Sequence, residues 1–131
     1  MRLMWYVAVG GAIGSVARYA LTGFVQARAN SVFPSGTFVV NLAGSLLLGF
    51  LLRYALETPA ITPEVRALLT TGFCGGFTTF STFTYETAAL IEDADWRRAA
   101  LYVAASVLLS LVGMFLGFAG ARELIALRRG A

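Results

Sequence analysis

The sequence predicts an all-α integral membrane protein: one domain of four transmembrane helices, with the third helix broken at mid-membrane. Three observations carry this prediction. Of 131 residues, 58% are hydrophobic and only 13% are charged, with a mean hydropathy of +0.75. A soluble domain carries about a quarter charged residues, and one this small has too little interior to hide so much apolar surface. Second, the apolar residues fall into four runs, each near the ~20 residues that a helical crossing needs. Third, the run assigned to the third crossing is interrupted midway by glycines and hydroxyl side chains.

The first span covers residues 3–25 and the second 36–56. The stretch RANSVFP, Arg28 to Pro34, separates them. An N-terminal signal peptide is the other reading of the first run, because Ala27-Arg28-Ala29 imitates a cleavage site. Arg18 interrupts that run, and the remainder would itself be three spans. The third span covers 64–91 after ETPAITP, where Thr62-Pro63-Glu64 reads as a helix start with proline in the first turn. The fourth covers 99–121 after EDADWRR. Trp5 and Trp96 stand at the starts of the first and fourth spans, where interfacial aromatic belts belong.

Composition also excludes chemistry. There is no His, every basic residue is Arg, and Cys74 is the single cysteine. A Ser/His triad, a Cys/His dyad, a His-ligated metal and an internal disulfide therefore cannot be built. The pI near 9.5 comes from scattered arginines rather than a basic stripe, which points away from nucleic acid as a partner. No enzyme is expected.

Four crossings put both termini and the middle loop on one side. That side holds Arg2, Arg53, Arg66, Arg122, Arg128 and Arg129; the other holds Arg18, Arg28, Arg97 and Arg98. Such a small bias specifies orientation poorly. Either the chain inserts both ways round and pairs with its inverted copy, or it has one orientation that this count does not resolve. Four helices enclose little room for a hydrated path, so a transporting protein of this size should be at least a dimer. Gly10 with Gly14 and Gly113 with Gly117 have the four-residue spacing that lets helix backbones approach closely.

The most informative stretch is GFCGGFTTFSTFTYE, Gly72 to Glu86. Gly75-Gly76 offers a weak point in the helix, and Thr78, Thr79, Ser81, Thr82 and Thr84 offer hydroxyls that bond locally and cap. A break within the bilayer exposes carbonyls on the half-helix ending near Gly75 and amides on the half starting near Thr79, tolerated only where they line a cavity, meet protein or bind an ion. A cation would satisfy the carbonyl end, and hydroxyls with an anion the amide end. The alternative is an unbroken helix with a Gly/Thr packing face. Phe80 and Phe83 share a face just beyond. They either face lipid and core or turn positive ring edges toward a small anion.

Asn41, with Thr37 and Ser45 one turn to either side, is interhelical glue or a donor facing a pore. Tyr102, Ser106 and Ser110 repeat every four residues in the fourth span, as packing residues or as a polar track. Arg18 and Glu86 are ionisable groups within spans and therefore functional suspects, although Arg18 has the reach to snorkel. The embedded polar set is rich in donors and poor in carboxylates, which suits an anion. The competing class is a small multidrug or guanidinium exporter. It needs an embedded carboxylate, for which Glu86 is the one candidate.

These residues resemble the fluoride channel family (Fluc, also called CrcB). The resemblance rests on GGxxGxxxRY (Gly10 to Tyr19), PxGTFxVNxxGS (Pro34 to Ser45), GFCGGFTTFSTF (Gly72 to Phe83) and YxxxSxxxS (Tyr102 to Ser110), and covers essentially the whole chain. It implies a dual-topology homodimer, antiparallel in the cell membrane, with two fluoride paths at the interface. It implies one structural Na⁺ at the dimer centre, held by the backbone carbonyls of Gly75 and Thr78 from both chains. It further implies an ion pathway lined by Asn41, Phe80, Ser81, Phe83, Tyr102, Ser106 and Ser110, with Arg18 toward the aqueous vestibule. The implied role is passive escape of fluoride from the cytoplasm, against its toxicity.

Overall fold

A computed structural model describes all residues, 1–131, and it is entirely helical. The elements are α1 (Arg2–Ala29), α2 (Ser35–Glu57), α3 (Pro63–Ala67), a π-helical segment (Leu68–Cys74), α4 (Gly75–Phe77), α5 (Phe80–Glu92) and α6 (Trp96–Gly130). Three of them, α1, α2 and α6, are long and apolar enough to cross a membrane. The third apolar run is divided: α3, the π segment and α4 form one continuous arm, and α5 forms the other. At about 1.5 Å per residue, α6 with its 35 residues is far longer than a ~30 Å hydrocarbon core. It continues beyond the expected end near Ala121.

Local chemistry sets the ends. Asn30 closes α1 in the left-handed conformation (φ 44°, ψ 49°), its N–H donating to the Gln26 carbonyl. The Gln26 side chain then binds the connection itself: its Nε2 donates to the Ser31 carbonyl at 2.8 Å and to the Phe33 carbonyl at 3.2 Å, while its Oε1 accepts from the Gly36 N–H. Thr62 caps α3 by accepting from the Val65 N–H, with Pro63 in the first turn, as the sequence predicts. Asp95 caps α6 by accepting from the Arg98 N–H.

Packing is backbone on backbone. A Cβ built on Gly10 would lie 2.1 Å from the Leu68 carbonyl oxygen, and one on Gly14 would lie 2.2 Å from that of Phe73. Only glycine allows α1 to lie this close to the third apolar run. The π segment lies against these glycines, so the widened turn and the close approach share one place. The α2–α6 pair is similar: a Cβ on Gly117 would lie 2.3 Å from the Leu46 carbonyl oxygen. Buried residues number only 21 of 131, so the large apolar side chains mostly face outward, toward lipid or another chain.

The first half-helix runs past its expected end near Gly75 to Phe77, while the second starts directly after Thr79, where the sequence places its start. Gly75 is helical (φ −63°, ψ −37°), and the extended residues are Thr78 (φ −89°, ψ 158°) and Thr79 (φ −149°, ψ 121°). The glycines serve contact instead: a Cβ on Gly76 would lie 2.5 Å from the Gly11 carbonyl oxygen. The two threonines act differently: Thr79 gives the Thr82 N–H a side-chain acceptor, whereas Thr78 doubles a bond that its own N–H already makes to the Cys74 carbonyl at 3.0 Å. The Thr78 hydroxyl donates to the Cys74 carbonyl at 2.9 Å, and Thr79 Oγ1 accepts from the Thr82 N–H at 3.2 Å, starting α5.

Candidate functional site

The break is held open by α2. Asn41 Nδ2 donates to the Thr79 carbonyl at 3.0 Å, and the Thr79 N–H donates to Asn41 Oδ1 at 2.8 Å. One side-chain amide thus replaces both hydrogen bonds that the extended residue forfeits. Gly44, one turn further along α2, gives the room, since a Cβ there would lie 2.3 Å from Thr78 Cγ2.

Arg18 reaches the other side of the break. Its Nε donates to the Gly76 carbonyl at 3.0 Å, placing a guanidinium at the carbonyl end of the first arm, where the helix dipole favours a cation. Arg18 also lines a groove of about 600 Å³ with Thr37, Thr79 and Thr82. The Thr78 carbonyl accepts no hydrogen bond from the chain, and Gly75 is exposed, with open space where a side chain would stand.

A second cavity of about 270 Å³ lies directly against the break, walled by α2, α5 and α6. It gathers five of the seven expected pathway residues: Asn41, Phe80, Phe83, Ser106 and Ser110. Ser106 is buried and its hydroxyl has no partner within the chain. Phe80 is 77% exposed at the open side of the cavity. Its ring lies 5.8 Å from that of Phe83, which in turn lies 5.1 Å from the Tyr102 ring. No carboxylate lines this cavity.

Two expected residues are placed elsewhere. Ser81 is exposed on α5, with its hydroxyl 3.4 Å from that of Thr79. Tyr102 is fully buried behind Phe83, packed edge-on against Phe33 at 5.4 Å. Its hydroxyl lies beside Thr37 and Glu86 without a hydrogen bond to either. Glu86 accepts instead from the Thr37 hydroxyl. Glu86 and Thr37 line a different groove, of about 320 Å³, together with Gln26 and Asp93.

Sequence reasoning noted Thr37 and Glu86 separately and missed that they pair across α2 and α5. It also missed Gly44. Its spacing was the available signal, because Gly44 follows Asn41 by three residues and so shares its face. The Gln26 clamp had no signal beyond its place near a helix end.

Residues 5–118 match the family described as CrcB-like protein, Camphor Resistance (CrcB). A protein of Geobacter sulfurreducens named fluoride-specific ion channel FluC is 52% identical over 118 residues, covering 90% of this chain and 95% of that protein. A protein of the same name from Chlorobaculum tepidum is 50% identical, covering 89% of this chain and 92% of the relative. One from Nitratidesulfovibrio vulgaris is 43% identical, over 93% and 98%. With three helices able to span a bilayer, the protein is a multi-pass membrane protein, and the chain belongs to the CrcB family.

Proposed function

We propose that this protein is a fluoride-selective channel, not an enzyme, through which F⁻ leaves the cytoplasm passively. The observation that carries the proposal is the cavity at the break, where hydroxyl and amide groups meet two phenylalanine rings with no carboxylate among them. Fluoride holds water more strongly than chloride, so a selective path must replace that water with closely spaced donors. Ser106, Ser110 and the amide of Asn41 supply donors. The ring edges of Phe80 and Phe83 carry partial positive charge and attract the ion weakly enough to release it. The names of the relatives support fluoride as the ion.

One chain forms only an open groove, and the exposure of Phe80 argues for a second wall. We place an inverted second copy there, giving an antiparallel homodimer with two paths. The bias of six arginines against four is too small to fix one orientation, which supports insertion both ways round. In this arrangement the carbonyls of Gly75 and Thr78 from both copies would hold a structural Na⁺. The fit is chemical: a hard cation prefers oxygen ligands, the Thr78 carbonyl has no competing donor, and the open space at Gly75 admits a close neighbour. The ion would neutralise the negative ends of two half-helices.

An exporter would need Glu86 in its substrate path, whereas Glu86 bonds Thr37 and lines a separate groove. Efflux from liposomes containing only this protein tests the channel directly. Rapid fluoride efflux with chloride retained is expected. Equal loss of chloride, or no fluoride loss, would end the proposal.

A further inference from the structure

The two ends of the bundle differ in charge. Arg2, Arg53, Arg66, Arg122, Arg128 and Arg129 lie at the end shared by the α1 start and the α2 and α6 termini, against three acids, Glu57, Glu64 and Glu123. At the opposite end Arg28, Arg97 and Arg98 are matched by Glu92, Asp93 and Asp95, while Arg18 lies deeper, at the break. The surplus is concentrated where the overlong α6 passes the last turn of α2. There Arg53 Nη1 lies 3.2 Å and Arg122 Nε 3.9 Å from the same carboxylate oxygen of Glu57. Arg129 Nη2 donates to the Glu57 backbone carbonyl at 3.4 Å. Arg128 Nη1 donates to the Tyr54 hydroxyl at 2.7 Å.

One carboxylate cannot satisfy this set. Each guanidinium carries about five N–H donors, against roughly four lone-pair positions on a carboxylate. Arg122 stands too far from Glu57 for a hydrogen bond, with 60% of its side chain exposed. The Arg53 Nε is shielded from solvent and has no partner. The guanidinium of Arg53 sits 4.6 Å over the Phe118 ring, and Leu127, beside Arg128 in the sequence of α6, is exposed. Cationic forks beside apolar helix surface fit an occupant that carries both a phosphate and a hydrocarbon tail.

We propose that the α2–α6 end is a binding site for the phosphate headgroup of an anionic phospholipid. Arg122, Arg128 and Arg129 hold the phosphate, for which the planar guanidinium is suited, and Glu57 keeps the forks oriented. Glu57 also prevents the cluster from repelling itself apart. The acyl chains lie along the outer face of α6. The site is separate from the cavity at the break and does not depend on which ion the protein carries.

The test measures retention of phosphatidylglycerol by the purified protein in native mass spectrometry, with phosphatidylcholine and inorganic phosphate as separate arms. Preferential retention of phosphatidylglycerol is expected. With each arginine near a lipid surface contributing about fivefold in affinity, R122Q/R129Q should weaken it roughly 25-fold. The variant R28Q/R97Q removes the same charge from the opposite end and should leave retention within about twofold. Equal weakening by the two variants would reduce the effect to net charge and overturn the site. Retention of phosphatidylcholine equal to phosphatidylglycerol, or inorganic phosphate displacing the lipid at equal concentration, would overturn it as well. Wild-type elution volume and helix content in both variants separate a lost site from a lost fold.

Discussion

Asn41 and Thr79 exchange two hydrogen bonds, at 3.0 and 2.8 Å, across 38 positions of sequence. The pair is the only link that satisfies both backbone groups of the extended residue, so it fixes the shape of the break as well as one wall of the cavity. Replacing Asn41 by Leu leaves a peptide group without partners in an apolar setting, at about 1–3 kcal/mol per group. Thermal unfolding in detergent should show that loss, and fluoride efflux should fall more than tenfold. Asn41→Asp keeps the acceptor for the Thr79 N–H but sets an anionic oxygen against the Thr79 carbonyl. It should retain more stability than N41L while blocking efflux. Wild-type efflux in either variant would remove Asn41 from the path.

Phe80 and Phe83 differ in what they touch, so their substitution should separate function from stability. Phe80 is mostly exposed, whereas Phe83 packs on the buried Tyr102 ring. F80I should leave thermal stability nearly unchanged and stop efflux. F83I should stop efflux and also destabilise the chain, by about 0.5–1.5 kcal/mol for the lost ring packing. If F80I lowered stability as much as F83I, the assignment of Phe80 to an open cavity wall would be wrong.

What the sequence made legible follows the range of each interaction. The four apolar runs, the Thr62-Pro63 helix start and the hydroxyl-rich interruption are local signals, and they can be read without knowing what packs where. The start of the second half-helix at Thr79 is a local capping signal, but the first half-helix ends two residues later than Gly75, because propensity alone marks Gly75-Gly76 as the weak point. Gly76 in fact serves the contact with Gly11, and the Thr79 hydroxyl caps the start of the second half-helix. The pairing of Thr37 with Glu86 joins residues 49 apart on faces that no periodicity assigns to each other. The outward position of Ser81 and the burial of Tyr102 likewise depend on how α5 leans on α6.

Arg18 provides the charge at the carbonyl end of the first arm through its bond to Gly76. Arg18→Gln keeps a donor on a shorter arm and loses the charge, and Arg18→Ala loses both. Stability should fall in that order, with R18A losing about 1–3 kcal/mol as expected for a hydrogen bond to a charged group. Chemical denaturation in mild detergent measures this. Equal stability of R18A and wild type would mean that the contact contributes nothing to the break.

Asp95 caps α6 and pairs with Arg98, Nη1 to Oδ2, at 2.6 Å. Its hydrogen bonds to the Arg98 side chain and backbone N–H hold its carboxyl below the ordinary value. A carboxyl depressed in the folded state stabilises the fold above its unfolded pKa, and the contribution disappears as pH falls through the folded value. Wild type should therefore be more stable than D95A at neutral pH, with the difference closing below about pH 4. Thermal unfolding across that pH series checks the sign, and a difference that widened in acid would contradict it.

Gly14 and Gly75 divide the glycines by what surrounds them. A Cβ on Gly14 would meet the Phe73 carbonyl oxygen at 2.2 Å, backbone that cannot move aside, whereas at Gly75 nothing lies closer than 4.0 Å. Within one chain, Gly14→Ala should therefore prevent folding or cost several kcal/mol, beyond the usual ~1–3 kcal/mol of an overpacked core. Gly75→Ala should leave the chain folded, and replacing a helical Gly by Ala favours the helix by about 1 kcal/mol. In the antiparallel pair proposed here, however, Gly75 faces its own copy across the Na⁺ site. G75A should then fold and insert yet lose the dimer by size-exclusion or crosslinking analysis, and with it fluoride efflux. A folded, dimeric and fully active G75A would place the contact between copies somewhere else.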